Sequence, residues 1–328
     1  MITKKTINTT IENKQFLKDF KNDVLKGLSN YNKSLPCKYI YDEEGSKLFK
    51  KITKLPEYYL TRSELQIFSE SGNFFGNLLQ NLTCNIIEFG VGDGQKTRIL
   101  LKHLTQNKIV FRYYPIDISS SAMADLINTL KRDFKNFESN GIVADYSCDL
   151  TCLRNMKKGT NLVLFLGSNI GNMNFSQSII FLRRIRRSLN VGDYLLIGFD
   201  LKKDSTTLQN AYNDSQGISE KFNKNLLNRI NIELGGNFDL NLFSYLSIYD
   251  LKEGAIVSKL VSKKQQIVKI SSLNKVFSFT KGETIHTESS YKYNQNDIQQ
   301  LAKKSGFSII ESLYDKHHFF TNSLWQPK

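Results

Sequence analysis

With 328 residues, 40% hydrophobic and 12% aromatic, the chain has enough apolar material for one large domain or two smaller ones, and only four prolines, which excludes a disordered or low-complexity protein. No apolar run approaches the roughly 20 residues needed to cross a bilayer, and the opening MITKKTINTTIENK lacks the apolar core of a secretory signal; the expectation is a soluble, cytoplasmic protein with no membrane partner. The net charge of +14 raises nucleic-acid binding, but the lysines are scattered. Only LRRIRRSL (182–189) is dense, and Phe181, Leu182, Ile185 and Leu189 there recur at helical spacing, so its arginines read as the solvated face of a core helix.

The cysteines add no chemistry of their own. Cys37 and Cys84 stand alone, while Cys148 and Cys152 are four apart without a CxxC pair or a histidine cluster. Free thiols and no metal site are expected.

In chain order, IENKQFLKDFKNDVLKGL and SELQIFSESGNFFGNLL place apolar residues three and four apart, which makes residues 1–80 mainly helical. Between them runs LPCKYIYDEEGSKLFKKITKLPEYYLTRSE, dense in tyrosine. From Asn85 the pattern becomes βαβ: NIIEFG, KIVFRYYPIDI, GIVADY, NLVLFLGSN and DYLLIGFDL are apolar runs separated by helices such as KTRILLKHL and SSAMADLINTLKRDF. Such runs are strands of a mostly parallel sheet with helices on both faces. After Asp200 a further helix in AYNDSQGISEKFNKNLLNRINIELGG leads into alternating runs, LFSYLSIYD, AIVSKLVSK and VFSFTKGETIHTES, each a strand with one exposed face. NDIQQLAKKSGF closes the chain as a helix, followed by SIIESLYD and FFTNSLWQ as an antiparallel hairpin.

The chemistry gathers at strand ends. Glu88-Phe-Gly90-Val-Gly92-Asp-Gly94 lies where a buried strand gives way to a helix, a place where glycines admit positive φ and the helix N-terminus favours a carboxylate or phosphate. Asp117 ends the next strand, at the distance where an acid accepts from ribose hydroxyls. Asp145, beside Tyr146, ends the following one, where it can meet an exocyclic amine. A nicotinamide dinucleotide suits the first two signals equally well, or the glycines serve helix packing alone.

The terminal antiparallel hairpin resembles the seven-stranded sheet of class I S-adenosylmethionine-dependent methyltransferases. More specifically, SLPCKYIYDEEGSKLFKKITKLPEYYLTRSE, IIEFGVGDGQKTR, FLGSNIGN, GFDLKKDSTTLQNAYNDSQGISEKFNKNLL and TESSYKY, from about Val24 onward, resemble the histidine Nα-methyltransferases of ergothioneine biosynthesis. The resemblance implies S-adenosylmethionine as cofactor, held by Tyr41, Gly90, Lys96, Asp117, Asp145 and Tyr146. It implies an amino-acid site of Tyr58, Gly167, Asn172, Tyr212, Glu288 and Ser290, with Tyr41 and Gly167 nearest the chemistry. Asn172 and Tyr212 would then donate to the α-carboxylate, the Gly167 carbonyl orient the amine, and Glu288 with Ser290 grip an imidazole nitrogen. Ser258 departs from the family, standing where well-known members carry a methionine that lines the imidazole pocket.

The implied architecture is an α/β class I core with a second domain: a helical segment over 1–80 contributing to the substrate domain, the core over 81–200, an inserted α+β segment over 201–290, and a closing helix and hairpin over 291–328. The implied reaction is transfer of a methyl group to the α-amine of histidine, up to the trimethylated betaine hercynine, by a monomer acting on a small amino acid. Its rivals are N-methylation of another amino acid or a specialised amine, and, from a different class, nucleic-acid binding.

Overall fold

A computed structural model describes residues 9–118, 120–134, 138–144 and 158–328. In chain order these form α1 (Thr9–Ser29), β1 (Lys33–Ser34), α2 (Glu43–Ile52), α3 (Tyr59–Glu70), α4 (Gly72–Leu78), β2 (Thr83–Phe89), α5 (Gln95–Gln106), β3 (Val110–Asp117), α6 (Ser120–Asp133), β4 (Glu138–Ser139), β5 (Ile142–Val143), β6 (Thr160–Phe165), α7 (Phe175–Arg186) and β7 (Tyr194–Asp200). They continue as α8 (Ser205–Asn210), α9 (Ile218–Leu234), β8 (Phe243–Asp250), β9 (Ala255–Ser262), β10 (Gln266–Ile270), β11 (Lys275–Phe279), β12 (Thr284–Tyr291), α10 (Gln295–Ser305), β13 (Phe307–Tyr314) and β14 (Phe320–Pro327). Local chemistry sets many of these ends. The Asp42 carboxylate accepts from Gly45 N to open α2, with Glu43 and Glu44 in the first turn and Lys50 and Lys51 in the last, charges placed as the helix dipole favours. Capping boxes of Asn174 with Gln177 and Asn294 with Asp297 start α7 and α10, and Gly306, at φ 87°, ends α10.

The chain divides into two compact units, one built from residues 59–203 and 291–328, the other from the described residues up to Tyr58 together with 204–290. The first unit holds a sheet in the order β13-β14-β7-β6-β2-β3-β4, with β5 also beside β3. The β2, β3, β4, β5, β6 and β7 pairings are parallel and the β13–β14 and β14–β7 pairings antiparallel. Read from the β3–β4 edge, the last two strands swap places, with β14 inserted between β7 and β13. That arrangement is the class I methyltransferase sheet.

Two layers cover it. On one face Ile87, Val163, Leu195 and Trp325 lie side by side through the register and pack with Phe181, Leu182, Ile185, Ile298 and Leu301 of α7 and α10. On the other, Ile86, Leu162, Leu164, Leu196 and Leu324 pack with Phe68, Phe75, Leu100, Leu101 and Leu104 of α3, α4 and α5. The helices over 59–78 are thus part of the sheet-bearing unit. The division falls at Tyr58/Tyr59, not near residue 80, because the buried stripe of α3 faces the sheet. In α7, Arg183 Nε donates to Lys304 O (3.0 Å) and Arg186 Nε to Gly306 O (3.1 Å), so these arginines hold the end of α10 as well as meeting solvent.

In the second unit α9 is the central helix, with Phe222, Leu226, Leu227, Ile230 and Leu234 buried. Its buried Arg229 is paid for by Glu233, by the Tyr39 carbonyl (2.7 Å) and by the faces of Phe16 and Phe20. A four-stranded sheet runs β1-β12-β9-β8, and β10–β11 form a separate antiparallel hairpin. Neither β10 nor the break between β11 and β12 is evident in the period-two pattern, since Gly282 and its neighbours turn a run that alternates throughout. Among the described residues no helix is long and apolar enough to cross a membrane, no acid, histidine and cysteine cluster could hold a metal, and Cys37 and Cys84 are free thiols. Cys148 and Cys152 lie outside them.

Candidate active site

The glycine turn follows β2 directly. Gly90, Gly92 and Gly94 all take positive φ (69°, 55° and 68°), a region closed to most side chains. Gly90 N donates to Ile116 O at 2.9 Å, which ties the turn to the end of β3, where Asp117 stands half-buried. At Gly94 a Cβ would lie 2.2 Å from Leu126 Cδ1, so α5 starts tight against α6; at Gly92 nothing lies within 4 Å. Packing therefore requires one glycine, and open backbone that a ligand can approach is left at the other. Val143 of β5 pairs with Asp117, and Asp145 and Tyr146 fall outside the described residues.

Glu88, buried at the end of β2, accepts from Thr97 Oγ1 (2.6 Å) and from the Tyr113 hydroxyl. Burial pushes its carboxyl up to about 7 against the pull of those two donors. Lys96, in the first turn of α5, reaches Glu64 of α3: Nζ lies 2.7 Å from Oε2. Gly167 N donates to the same carboxylate at 2.9 and 3.1 Å. Lys96 and Gly167 are thereby brought together by a residue that the sequence does not single out.

Gly167 (φ 70°) and Ser168 (φ 57°) are both left-handed and turn the chain from β6 into the short turn Asn169–Asn172. Ser168 Oγ accepts from Asp200 N (3.2 Å), and Tyr293 OH donates to Ile170 O (3.1 Å). Asn172, half-buried, is not the cap of the next helix. Asn174 has that task.

In the second unit an aromatic series links the candidates: Tyr41 to Phe49 at 5.6 Å, Phe49 to Tyr58 at 6.2 Å and Tyr58 to Tyr212 at 6.2 Å between ring centroids. Edge-to-face geometry at each step (70°, 81° and 65°) suits the ring quadrupoles. The Tyr212 hydroxyl meets Ser290 Oγ at 2.8 Å, and Tyr245 OH donates to the Tyr212 carbonyl at 3.0 Å. Asp214, accepting from Ile218 N and Ser219 N, fixes the loop that carries Tyr212.

Glu288 joins this group electrostatically. Burial, with the Glu288 carboxylate acting in the same direction, pushes the Tyr245 hydroxyl and the Cys37 thiol each up to about 12. Ser258, fully buried on β9, has its hydroxyl 2.9 Å from Tyr245 OH. Phe49 and Tyr245 were not candidates from sequence. Phe49 lies on a short helix whose apolar stripe reads as ordinary core, and Tyr245 on an alternating strand that carries no motif.

Residues 20–327 match the family described as histidine-specific methyltransferase, SAM-dependent. The chain belongs to this family. It is 35% identical to the histidine N-alpha-methyltransferase of Mycobacterium tuberculosis over 92% of this chain and 93% of that one, and 34% identical to that of Mycolicibacterium smegmatis over 86% and 87%. Ergothioneine biosynthesis protein 1 of Schizosaccharomyces pombe is 32% identical over 84% of this chain and 36% of its own length. The cofactor of this methyltransferase family is S-adenosylmethionine, and the first unit suits it: the backbone at Gly92 is open to close approach, the Gly94 turn opens α5, and Asp117 stands at the adjoining strand end.

Proposed function

We propose that the protein transfers methyl groups from S-adenosylmethionine to the α-amino group of L-histidine, in up to three rounds, giving the trimethylammonium betaine hercynine. The observation that carries this is the polar set Tyr212, Ser290 and Tyr245 with the Glu288 carboxylate acting on it, in a chain matching a histidine-specific family over almost its whole length. An acid and hydroxyls suit an imidazole N–H.

The cofactor supplies, when bound, a methyl group activated on a sulfonium. In the first unit Gly90, Lys96 and Asp117 hold it, with Asp145 and Tyr146 at the adenine, and the Gly167 carbonyl and Asn172 orient the amine and carboxylate. In the second unit Tyr58 and Tyr212 receive the amino acid, and Glu288 with Ser290 recognise its ring. Each transfer forms one N–C bond as one S–C bond breaks and S-adenosylhomocysteine leaves, and the attacking amine must first be neutral. Three transfers therefore release three protons from a substrate that enters as an ammonium ion. Alignment does most of the work, because a sulfonium leaving group needs no acid.

Mass spectrometry of histidine incubated with the protein and S-adenosylmethionine should show additions of one, two and three methyl groups. A panel of other amino acids tests specificity, and faster turnover of any of them than of histidine overturns the assignment. Histidinamide should be turned over poorly, since Tyr212 would lose its carboxylate partner.

A further inference from the structure

Glu64 occupies a position where the fold should not place a charge. On α3 the buried residues are Tyr59, Leu60, Ser63, Glu64, Ile67 and Phe68, the stripe that packs against the sheet, and Glu64 is 1% exposed. A carboxylate taken from water at such a site is unfavourable unless it is paired and hydrogen-bonded. Both conditions are met. Lys96 Nζ lies 2.7 Å from Oε2, and Gly167 N donates at 2.9 and 3.1 Å. The opposite wall is shaped for it: at Gly198 of β7 a Cβ would fall 2.5 Å from Glu64 Oε1, so only glycine leaves the carboxylate room.

The two groups that Glu64 holds stand at the carboxyl ends of different parallel strands. Lys96 follows the glycine turn after β2, and Gly167 begins the turn after β6. A Cβ on Gly167 would lie 3.1 Å from Lys96 Nζ, so the ammonium sits beside the Gly167 backbone, and the Glu64 carboxylate bonds both. In an open α/β sheet this edge is where ligands bind. An apolar residue at 64 would complete the α3 stripe, but it would leave Lys96 without its counter-ion and Gly167 N without its acceptor.

From this geometry we infer that Glu64 is a positioning residue of the methyl-transfer site, acting through Lys96 on cofactor binding and through the Gly167 peptide on the turnover step. The inference rests on the activity proposed above and deepens it. Its two bonds are separable, because glutamine keeps a carbonyl acceptor for Gly167 N but gives up the ion pair with Lys96.

The test uses the full chain, with titration calorimetry of S-adenosylhomocysteine, steady-state kinetics with histidine, and thermal unfolding of each variant. Glu64→Ala should weaken S-adenosylhomocysteine and lower kcat, each by about tenfold, the usual weight of a hydrogen bond to a charged group, with the histidine KM within about threefold of the original. Glu64→Gln should recover most of kcat while the dissociation constant stays high. Variants with a lowered melting temperature but unchanged dissociation constant and kcat would make Glu64 a structural residue only and overturn the inference. Should alanine prevent folding, the glutamine variant alone decides by the same split. If the unmodified protein binds S-adenosylhomocysteine but methylates no histidine, the proposed activity fails. The dissociation constants of the variants still judge Glu64's action through Lys96.

Discussion

Glu288 and Asp117 are both half-buried acids in strands, yet their removal should have opposite consequences. Glu288→Ala is expected to raise the histidine KM by about 10- to 100-fold, the loss of a hydrogen bond to a charged group, and to leave S-adenosylhomocysteine affinity unchanged. Asp117→Ala should weaken S-adenosylhomocysteine by a similar factor, as calorimetry can read directly, with the histidine KM little altered. At this scale legibility was uneven. Gly90 and Asp117 announce themselves, because a glycine turn between a buried strand and a helix, with an acid ending the next strand, is a local pattern, while Lys96 is singled out only by the family resemblance. Glu64 gives no such signal, since an acid on an amphipathic helix ordinarily faces water; only the approach of Gly198 and Lys96 from distant segments makes its burial tolerable. Tyr245 was equally silent. Its partners Ser258 and the Tyr212 carbonyl come from other elements of its unit.

Among the elements, β2 carries a titratable group in its buried face. Glu88 is pushed up to about 7 from an unfolded value near 4.5, so the folded state binds its proton more tightly than the unfolded chain. Its contribution to stability is complete below pH 4.5 and is lost as pH rises through about 7, by about 3 kcal/mol at most. Asp200 and Asp214, whose carboxyls are held below their ordinary values, act in the other sense, gaining stability above the unfolded carboxylate range. The test is therefore a difference. Glu88→Gln should be less sensitive than the unmodified protein to raising pH from 4.5 to 7, followed by the fluorescence of Trp325, the single tryptophan of the chain, fully buried and stacked on Phe199 at 5.8 Å. Equal pH slopes would show that Glu88 ionises normally. The strands and helices themselves were largely legible, because buried parallel strands and capped amphipathic helices write their periods into sequence. Exceptions were short or non-local: β4 and β5 are two residues each, too brief for any period, and β10 takes a bridge from Gly236 as well as pairing with β11.

For the whole molecule, the first unit binds the cofactor in the present proposal, and S-adenosylhomocysteine at a hundredfold its dissociation constant should stabilise it by about 2.7 kcal/mol, again read at Trp325. A reduced nicotinamide dinucleotide should produce no such shift. The surplus of 45 basic over 31 acidic side chains gave nucleic acid a claim that Arg183 and Arg186 weaken, since they donate to backbone carbonyls near the end of α10. Contiguous residues carry the parallel strands, the glycine turn, the capped helices, the closing hairpin, and long motifs that place the chain in its family. Which segments share a core and which buried polar groups find partners depend on contacts between residues far apart in the chain. Helices α3 and α4 follow the N-terminal segment in sequence but join the sheet, and Glu64 is stable only where Lys96 and Gly167 meet it. Periodicity reports which face of an element is apolar; it does not say which other element that face will cover.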